Sequence, residues 1–167
     1  MNRLPQFHLL LLCVMAAAVV GCSEDSQVLS LRNRFVLKDE PPGAIAVSQA
    51  TAETDDSGEV VVVGRIRADS FEPWADGMAA FVLSEALPDH GGAGHDAANC
   101  PFCKRRMKES ADSLITVQFR GDDGQIIPID ARELFELEDN QAVVVRGRRS
   151  SERGILLLVA NAIHVRR

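Results

Sequence analysis

Two histidines and two cysteines stand close together in the middle of the chain, at His90, His95, Cys100 and Cys103. Two imidazoles and two thiols are a ligand set that a tetrahedral Zn²⁺ accepts, and the glycines between the histidines would let the loop fold back around one ion. The two-residue spacing of the cysteines lets one tight turn direct both sulfurs at that ion. We therefore predict one structural Zn²⁺ bound by all four side chains, which would leave no open position for a substrate.

The same pair of cysteines also supports a redox interpretation. The segment Cys100-Pro-Phe-Cys103 resembles the active-site tetrapeptide of glutaredoxins, and a helix that starts at such a motif lowers the thiol pKa. A thioredoxin-like motif belongs to a βαβ unit, whereas this one follows a Gly-rich polar loop within an antiparallel β pattern. A thiol–disulfide pair, a plain local disulfide and a labile or catalytic metal site therefore remain as alternatives to the structural Zn²⁺.

The N-terminus predicts export and anchoring. Residues 7–20 form an apolar run, interrupted only by His8, that is too short to span a bilayer comfortably. The run ends at Gly21-Cys22 before a polar stretch, which is the layout of a signal peptide and its cleavage site. It resembles the lipobox of bacterial lipoproteins, which implies removal of residues 1–21, lipidation of Cys22 and a location on the periplasmic side of the cell envelope. An ordinary cleaved signal, or an uncleaved anchor with an incidental Cys22, is the alternative.

Charge and motif content narrow the function classes. The chain has 18 basic and 24 acidic residues, and removal of residues 1–21 takes away one arginine and no acid, which changes the net charge from −6 to −7. An acidic, exported chain is a poor candidate for a nucleic-acid binder. The G-x-S-x-G, H-E-x-x-H and phosphate-binding glycine-loop motifs are missing from the sequence. We expect a non-enzymatic binding or adaptor module, with a thiol–disulfide or metal-handling protein of the envelope as the alternative.

The remaining sequence predicts a lipidated tether and N-terminal arm over residues 22–58 and one mainly β domain over residues 59–167. Alternating or β-branched runs predict five main strands, a hairpin partner over residues 125–129, and a short helix over residues 131–137 that is capped by Asp130. The strands are expected at residues 60–67, 79–84, 115–120, 142–149 and 155–165. A long insert, residues 87–113, separates the second strand from the third.

A single short helix between the third and fourth of five strands is the arrangement of an OB-fold, a small Greek-key barrel. A β-sandwich or another small barrel is the alternative. The predicted core consists of inward-facing strand residues, namely Val62, Ile66, Phe81, Ile115, Val117, Phe119, Val143, Val145, Leu157 and Val159.

Residues 133–148 are similar to the OB-fold of the bacterial cytochrome c maturation haem chaperone, where a short "Leu-Phe" helix also precedes a Val-Val-x-x-Gly strand. Residues 60–66 and 81–83 are similar to that family's first two strands. The resemblance implies the fold but not haem delivery, because that family uses a histidine and a nearby tyrosine after the last strand. Here His164 falls inside the strand, and the chain has no tyrosine. The whole layout also resembles uncharacterised exported bacterial lipoproteins with a Cys-Pro-Phe-Cys insert, and this resemblance does not indicate which activity to expect.

A possible ligand surface involves Trp74, Arg146 and Arg148. Trp74 is the only tryptophan, and it would serve either as a stacking platform at the barrel mouth or as an anchor that packs a loop onto the core. The last hairpin is rich in arginine, which suits an anionic partner, lipid phosphates or a solvated face that protects the sheet edge. We expect the lipid to bind the membrane and the domain to bind a protein or an anionic ligand.

Overall fold

The fold is described from a computed structural model, which describes residues 23–52, 58–68, 71–85, 101, 113–152 and 155–167. The protein is mainly β, with few helices and one six-stranded mixed sheet. None of the helices in these ranges is long and apolar enough to cross a membrane. The elements, in chain order, are α1 (Ser23–Phe35), β1 (Ile45–Ala46), α2 (Val47–Ala52), β2 (Glu59–Ile66), β3 (Ala80–Glu85), β4 (Leu114–Phe119), α3 (Ala131–Phe135), β5 (Ala142–Glu152) and β6 (Ile155–Val165).

The strands follow the order β1-β2-β3-β4-β6-β5 across the sheet. β1 pairs in parallel with β2 and β4 pairs in parallel with β6, whereas the other neighbours are antiparallel. A further antiparallel pairing joins β5, at the end of this order, to residues 59–65 of β2. Each of the five longer strands therefore pairs with two of the others.

The sheet has one strand more than the five that the sequence predicts. β3 pairs with β2 only from Gly64 onward, and β1 pairs with Val62 and Val63 immediately before that point. The two residues of β1 come from the N-terminal arm. The additional strand therefore extends the sheet where β3 has ended.

The predicted core is confirmed on β2, β3, β4 and β5. Side chains alternate between the interior and the outer face on these strands, as a half-buried sheet requires. The confirmed core residues are at most 1% exposed and are Val62, Ile66, Phe81, Ile115, Val117, Phe119, Val143 and Val145.

The core prediction fails on β6. Leu158, Ala160 and Ile163 belong to the central cluster, whereas Leu157 is buried outside it and Val159 is only half-buried. Every residue from 155 to 160 is apolar, so alternation could not distinguish the two faces of this strand. In addition, the register between β5 and β6 shifts by one residue at Arg146/Gly147. Before this point the core residues of β6 are the even-numbered Leu158 and Ala160, and after it the core residue is the odd-numbered Ile163.

The region between β4 and β5 also differs from its prediction. The predicted strand over residues 125–129 is wrong, because Ile126 forms only an isolated bridge with Arg120. The helix after it is confirmed, and its N-cap is Asp130, whose carboxylate accepts a hydrogen bond from the Arg132 backbone N–H at 2.9 Å. It ends earlier than predicted, because Glu136 adopts a left-handed conformation with φ 55°.

The N-terminal arm packs closely on the sheet. α1 covers the polar stretch expected to act as a tether, and its last residue, Phe35, is buried in edge-to-face contact with Phe119 and Phe135. Arg32 of α1 donates hydrogen bonds to the backbone oxygens of Leu134 and Glu133, at 2.7 Å in each case. These contacts make the arm part of the folded unit.

α2 contacts β2, β3 and β4. Its residues Val47 and Ala50 are fully buried. The Glu85 carboxylate at the end of β3 accepts a hydrogen bond from the Ser48 backbone N–H at 2.8 Å, which fixes the start of this helix.

Candidate functional site

The predicted metal ligands His90, His95, Cys100 and Cys103, and the predicted lipidation site Cys22, lie outside the described residues. The same is true of the predicted insert apart from Pro101 and Ser113. Within the ranges that the structure does describe, no group of three or more His, Cys, Asp or Glu side chains is placed to share a metal ion. The predicted Zn²⁺ site therefore stays a prediction.

Trp74 lies on the connection between β2 and β3, which doubles back along β3. The Val82 backbone N–H donates a hydrogen bond to the Pro73 carbonyl oxygen at 2.7 Å, and an isolated antiparallel bridge pairs Trp74 with Phe81. The chain then turns through Gly77, whose φ of 69° is accessible to glycine at little cost. This local pairing fixes the position of the indole relative to β3.

The Trp74 side chain is 7% exposed and has three well-defined neighbours. Its indole N–H donates a hydrogen bond to Asp139 Oδ1 at 2.5 Å, and its ring meets the Phe81 ring with centroids 5.9 Å apart. The Arg132 guanidinium lies over the ring, 5.5 Å from its centroid, at cation–π distance. These are the contacts of a loop anchor, because they tie residues 73–79 to β3 and to the segment around α3.

Arg132 is held in place by two aspartates. Its Nε and one terminal nitrogen donate to the two carboxylate oxygens of Asp130 at 2.9 and 2.7 Å, and the same terminal nitrogen donates to Asp76 at 2.9 Å. The hydrogen bond from the Arg132 side chain lowers the pKa of Asp130 to about 2, assisted by backbone N–H donors of Arg132 and Gly77 and opposed by burial. The Asp130 carboxylate is therefore ionised at neutral pH and keeps the guanidinium beside Trp74.

A shallow depression of about 80 Å³ opens beside the indole, between the Trp74 loop and the outer side of β3 and β4. Val82 and Thr116, which are cross-strand partners, form its floor together with loop residues. Within the described part of the chain, the exposed Glu72 at this depression makes no hydrogen bond or ion pair. The residues that line the depression are Glu72, Pro73, Trp74, Ala75, Ala80, Phe81, Val82 and Thr116.

Arg146 and Arg148 lie on β5, where it runs between β2 and β6. Arg146 Nε donates to Asn161 Oδ1 at 3.1 Å and lies 3.7 Å from Glu59 Oε1, while Asn161 donates to the same Glu59 oxygen. Arg148 is exposed and stands opposite Glu59 in the strand register. The neighbours of Arg146 and Arg148 are thus on β2 and β6, whereas those of Trp74 are on β3 and around α3.

The arginine-rich hairpin does not form a uniform cationic face. Arg166 donates two hydrogen bonds to the Glu40 carboxylate, and this pairing lowers the pKa of Glu40 below its ordinary value. Arg149 is only 3% exposed. The sequence could not predict these environments, because Glu40 and Glu59 are more than eighty residues along the chain from their partners Arg166 and Arg146.

Sequence reasoning identified Trp74 but missed the residues around it. Arg132 was detectable only as the second residue after the Asp130 helix cap, a spacing that says nothing about Trp74. Thr116 lies between the predicted inward-facing residues Ile115 and Val117, but the loop that faces it follows from long-range pairing. Glu72 carried no sequence signal beyond its charge.

No protein-family model matches the chain, and no curated protein is found to be similar to it. The fold and the described site define a mainly β protein in which the Trp74 loop, with an ordered Arg–Asp cluster, borders a small depression on the sheet.

Proposed function

We propose that this protein is a membrane-tethered binding or adaptor module of the cell envelope, built on an OB-like barrel. The pairing of β2 with both β3 and β5, and the parallel pairing of β4 with β6, support a barrel of the five longer strands. The position of α3 between the third and fourth of these strands supports the same assignment. β1 and the two N-terminal helices are then additions to the barrel.

The position of the depression is the observation that carries a binding function. OB-folds bind ligands on the face of their second and third strands, next to the loop between the first and second. In the proposed barrel these strands are β3 and β4, and the loop is the segment that contains Trp74. The depression lies between that loop and those two strands.

The low exposure of Trp74 and the charges around it favour a protein partner over a nucleic acid. An isolated base or sugar needs an accessible aromatic face, whereas Trp74 is 7% exposed and already has Arg132 over its ring. Among the described residues around the indole, carboxylates outnumber cations, which disfavours a phosphate backbone. A peptide segment that inserts one side chain satisfies both restrictions.

The structural Zn²⁺ and the lipid remain part of the proposal. The connection that contains His90, His95, Cys100 and Cys103 leaves and rejoins the sheet at adjacent positions, because Ser84 pairs with Leu114. Ordering a long Gly-rich connection costs conformational entropy, and metal binding would offset this cost because the site does not exist in the unfolded chain.

The start of α1 supports a short tether. α1 begins at Ser23, directly after the proposed lipidation site Cys22. Lipid on that cysteine would therefore hold the domain close to the bilayer. We expect Cys22→Ala to abolish membrane retention, and retention of the variant without a lipid adduct by mass spectrometry would contradict the proposal.

The alternative function, a thiol–disulfide or metal-handling protein, rests on the C-x₂-C pair and is distinguished by the state of the two cysteines. Elemental analysis and a free-thiol count on the purified chain decide between them. One zinc per chain with both thiols in the reduced state supports the adaptor. A metal-free chain with a quantitative Cys100–Cys103 disulfide contradicts the Zn²⁺ assignment.

Photo-crosslinking in intact cells tests the binding face. A photoreactive residue at position 116 should capture a discrete partner, whereas the same residue at the exposed position 151 of the last hairpin should not. The Val82→Phe variant, which fills the depression, should reduce capture from position 116. Equal capture at both positions, or capture that Val82→Phe leaves unchanged, would contradict the assignment of this face.

A further inference from the structure

We propose that the depression beside Trp74 binds a lysine side chain presented by a protein partner, with its aliphatic part against the loop and its ammonium group at Glu72. This inference rests on the proposed function, because it names the chemistry that the binding face would recognise. Three properties of the depression support it: its size, its lining and the charges around it.

The size of the depression restricts the occupant to a single side chain. A volume of about 80 Å³ is roughly half that of the cavity of about 150 Å³ that accommodates benzene in another protein. Because the depression is shallow and open to solvent, it encloses only part of a side chain, and the rest stays at the surface.

The lining suits the stem and the head group of lysine. Pro73, the indole of Trp74 and Val82 present apolar surface, and the only polar side chains in the lining are those of Glu72 and Thr116. Lysine buries its methylenes on apolar surface while its ammonium group stays at the solvent boundary. Glu72 is exposed at that boundary, where an ammonium group can contact it without losing all of its hydration.

The charges around the indole favour a cation. Asp76, Asp130 and Asp139 lie within one or two contacts of Trp74, and Arg132, the cation that the described contacts place there, pairs with Asp76 and Asp130. Arg132 forms ion pairs with Asp130 and Asp76, so these two carboxylates already balance its charge. It therefore does not neutralise Glu72. An incoming cation therefore gains electrostatic attraction, and an acidic side chain is repelled.

Lysine fits this site better than arginine. Arginine gains affinity by stacking its planar guanidinium on an aromatic face and by forming paired hydrogen bonds. Here Arg132 already lies over the ring of Trp74 at cation–π distance. A compact ammonium group needs neither arrangement.

The only tryptophan of the chain is at the depression, so its fluorescence reports on binding directly. We would titrate the full chain with acetyl-Ala-Lys-Ala-amide and with analogues in which norleucine, acetyl-lysine or arginine replaces the lysine. The lysine peptide should change Trp74 emission saturably. It should bind up to about fivefold more tightly than the norleucine peptide, as an exposed ion pair allows. That difference should shrink at about 0.5 M salt.

Three variants locate the effect. Glu72→Gln should remove the advantage of lysine over norleucine, whereas the matched control Glu138→Gln, also exposed and on the turn that follows α3, should retain it. Val82→Phe should abolish the response to every peptide. Circular dichroism and thermal unfolding establish that each variant is folded before its titration is interpreted.

Specific results would overturn the inference. Equal binding of the norleucine or acetyl-lysine peptide would make the recognition purely apolar, and tighter binding of the arginine peptide would exclude lysine as the preferred cation. Lack of a saturable response at about 10 mM, well above a 1 mM dissociation constant, would also reject it. If position 116 still captures a partner, only the lysine assignment fails. If that capture is lost as well, the proposed function fails with it.

Discussion

Replacement of Phe35 by alanine tests whether the N-terminal arm is an integral part of the fold. Phe35 is 3% exposed, and its ring lies 5.3 Å from that of Phe119 and 6.4 Å from that of Phe135. Truncation of a buried phenylalanine removes its transfer free energy and leaves a cavity, which together cost about 3–5 kcal/mol. The loss of two edge-to-face ring contacts falls within that range. We expect Phe35→Ala to lower the free energy of unfolding by about this amount.

Urea unfolding of the purified chain, followed by circular dichroism, measures the effect. The midpoint should fall with little change in slope, because the surface exposed on unfolding remains similar. The matched control is Leu29→Ala on the same helix, where the side chain is 56% exposed. This control should change the free energy of unfolding by less than about 0.5 kcal/mol. A Phe35→Ala effect no larger than that of Leu29→Ala would refute the conclusion that the arm is packed into the core.

Three further outcomes follow from the described contacts and from the predicted metal site. Asp130→Asn should destabilise the protein by on the order of 1 kcal/mol at neutral pH, after discounting for solvent screening. Because the folded pKa of Asp130 is about 2, below its ordinary value of 3.8, this stability is present above the ordinary pKa and is lost as the pH falls toward 2. Urea unfolding of both proteins should therefore converge at low pH, and an unchanged difference would contradict the pairing with Arg132. Gly147→Ala should cost about 1–3 kcal/mol or more, because a Cβ atom there would lie within 3 Å of the backbone at Val159 and Ala160. The control Gly58→Ala, with no atom within 4 Å, should leave the thermal midpoint nearly unchanged, and equal shifts would exclude close strand contact as the cause. Removal of metal by chelation should increase hydrogen exchange over residues 87–108 while the strands keep their protection, and loss of protection throughout the strands would contradict a locally structural ion.

Side-chain alternation was sufficient to predict the interior of β4, where Ile115, Val117 and Phe119 are apolar and the residues between them are polar. It was insufficient on β6, where residues 155–160 are all apolar and either face could be the buried one. The register shift near Gly147 added a second difficulty, because a bulge arises from pairing with another strand. In both cases the missing information lay in the partner strand.

The N-terminal arm did carry a local signal. Val28, Leu31 and Phe35 are spaced by three and four residues, which is the spacing of one helix face. The intervening residues are mostly polar, so this face is narrow and the helix is easily read as a tether. Its docking depends on Arg32 and Phe35 meeting α3 and β4, about one hundred residues further along the chain. A contact at that sequence separation is not readable from the arm itself.

The docked helix also changes what the proposed lipid anchor would do. A flexible tether lets a domain sample many orientations, whereas α1 is a helix of 13 residues, about 20 Å long, that is fixed at its C-terminal end by Arg32 and Phe35. Lipid attached at Cys22, next to the first residue of α1, would therefore keep the sheet within about one helix length of the bilayer. The Trp74 loop is itself fixed to β3 and α3, so it would move together with the sheet. This arrangement suits an adaptor that presents a small, preformed binding face to a partner, because little additional ordering is needed when the partner binds.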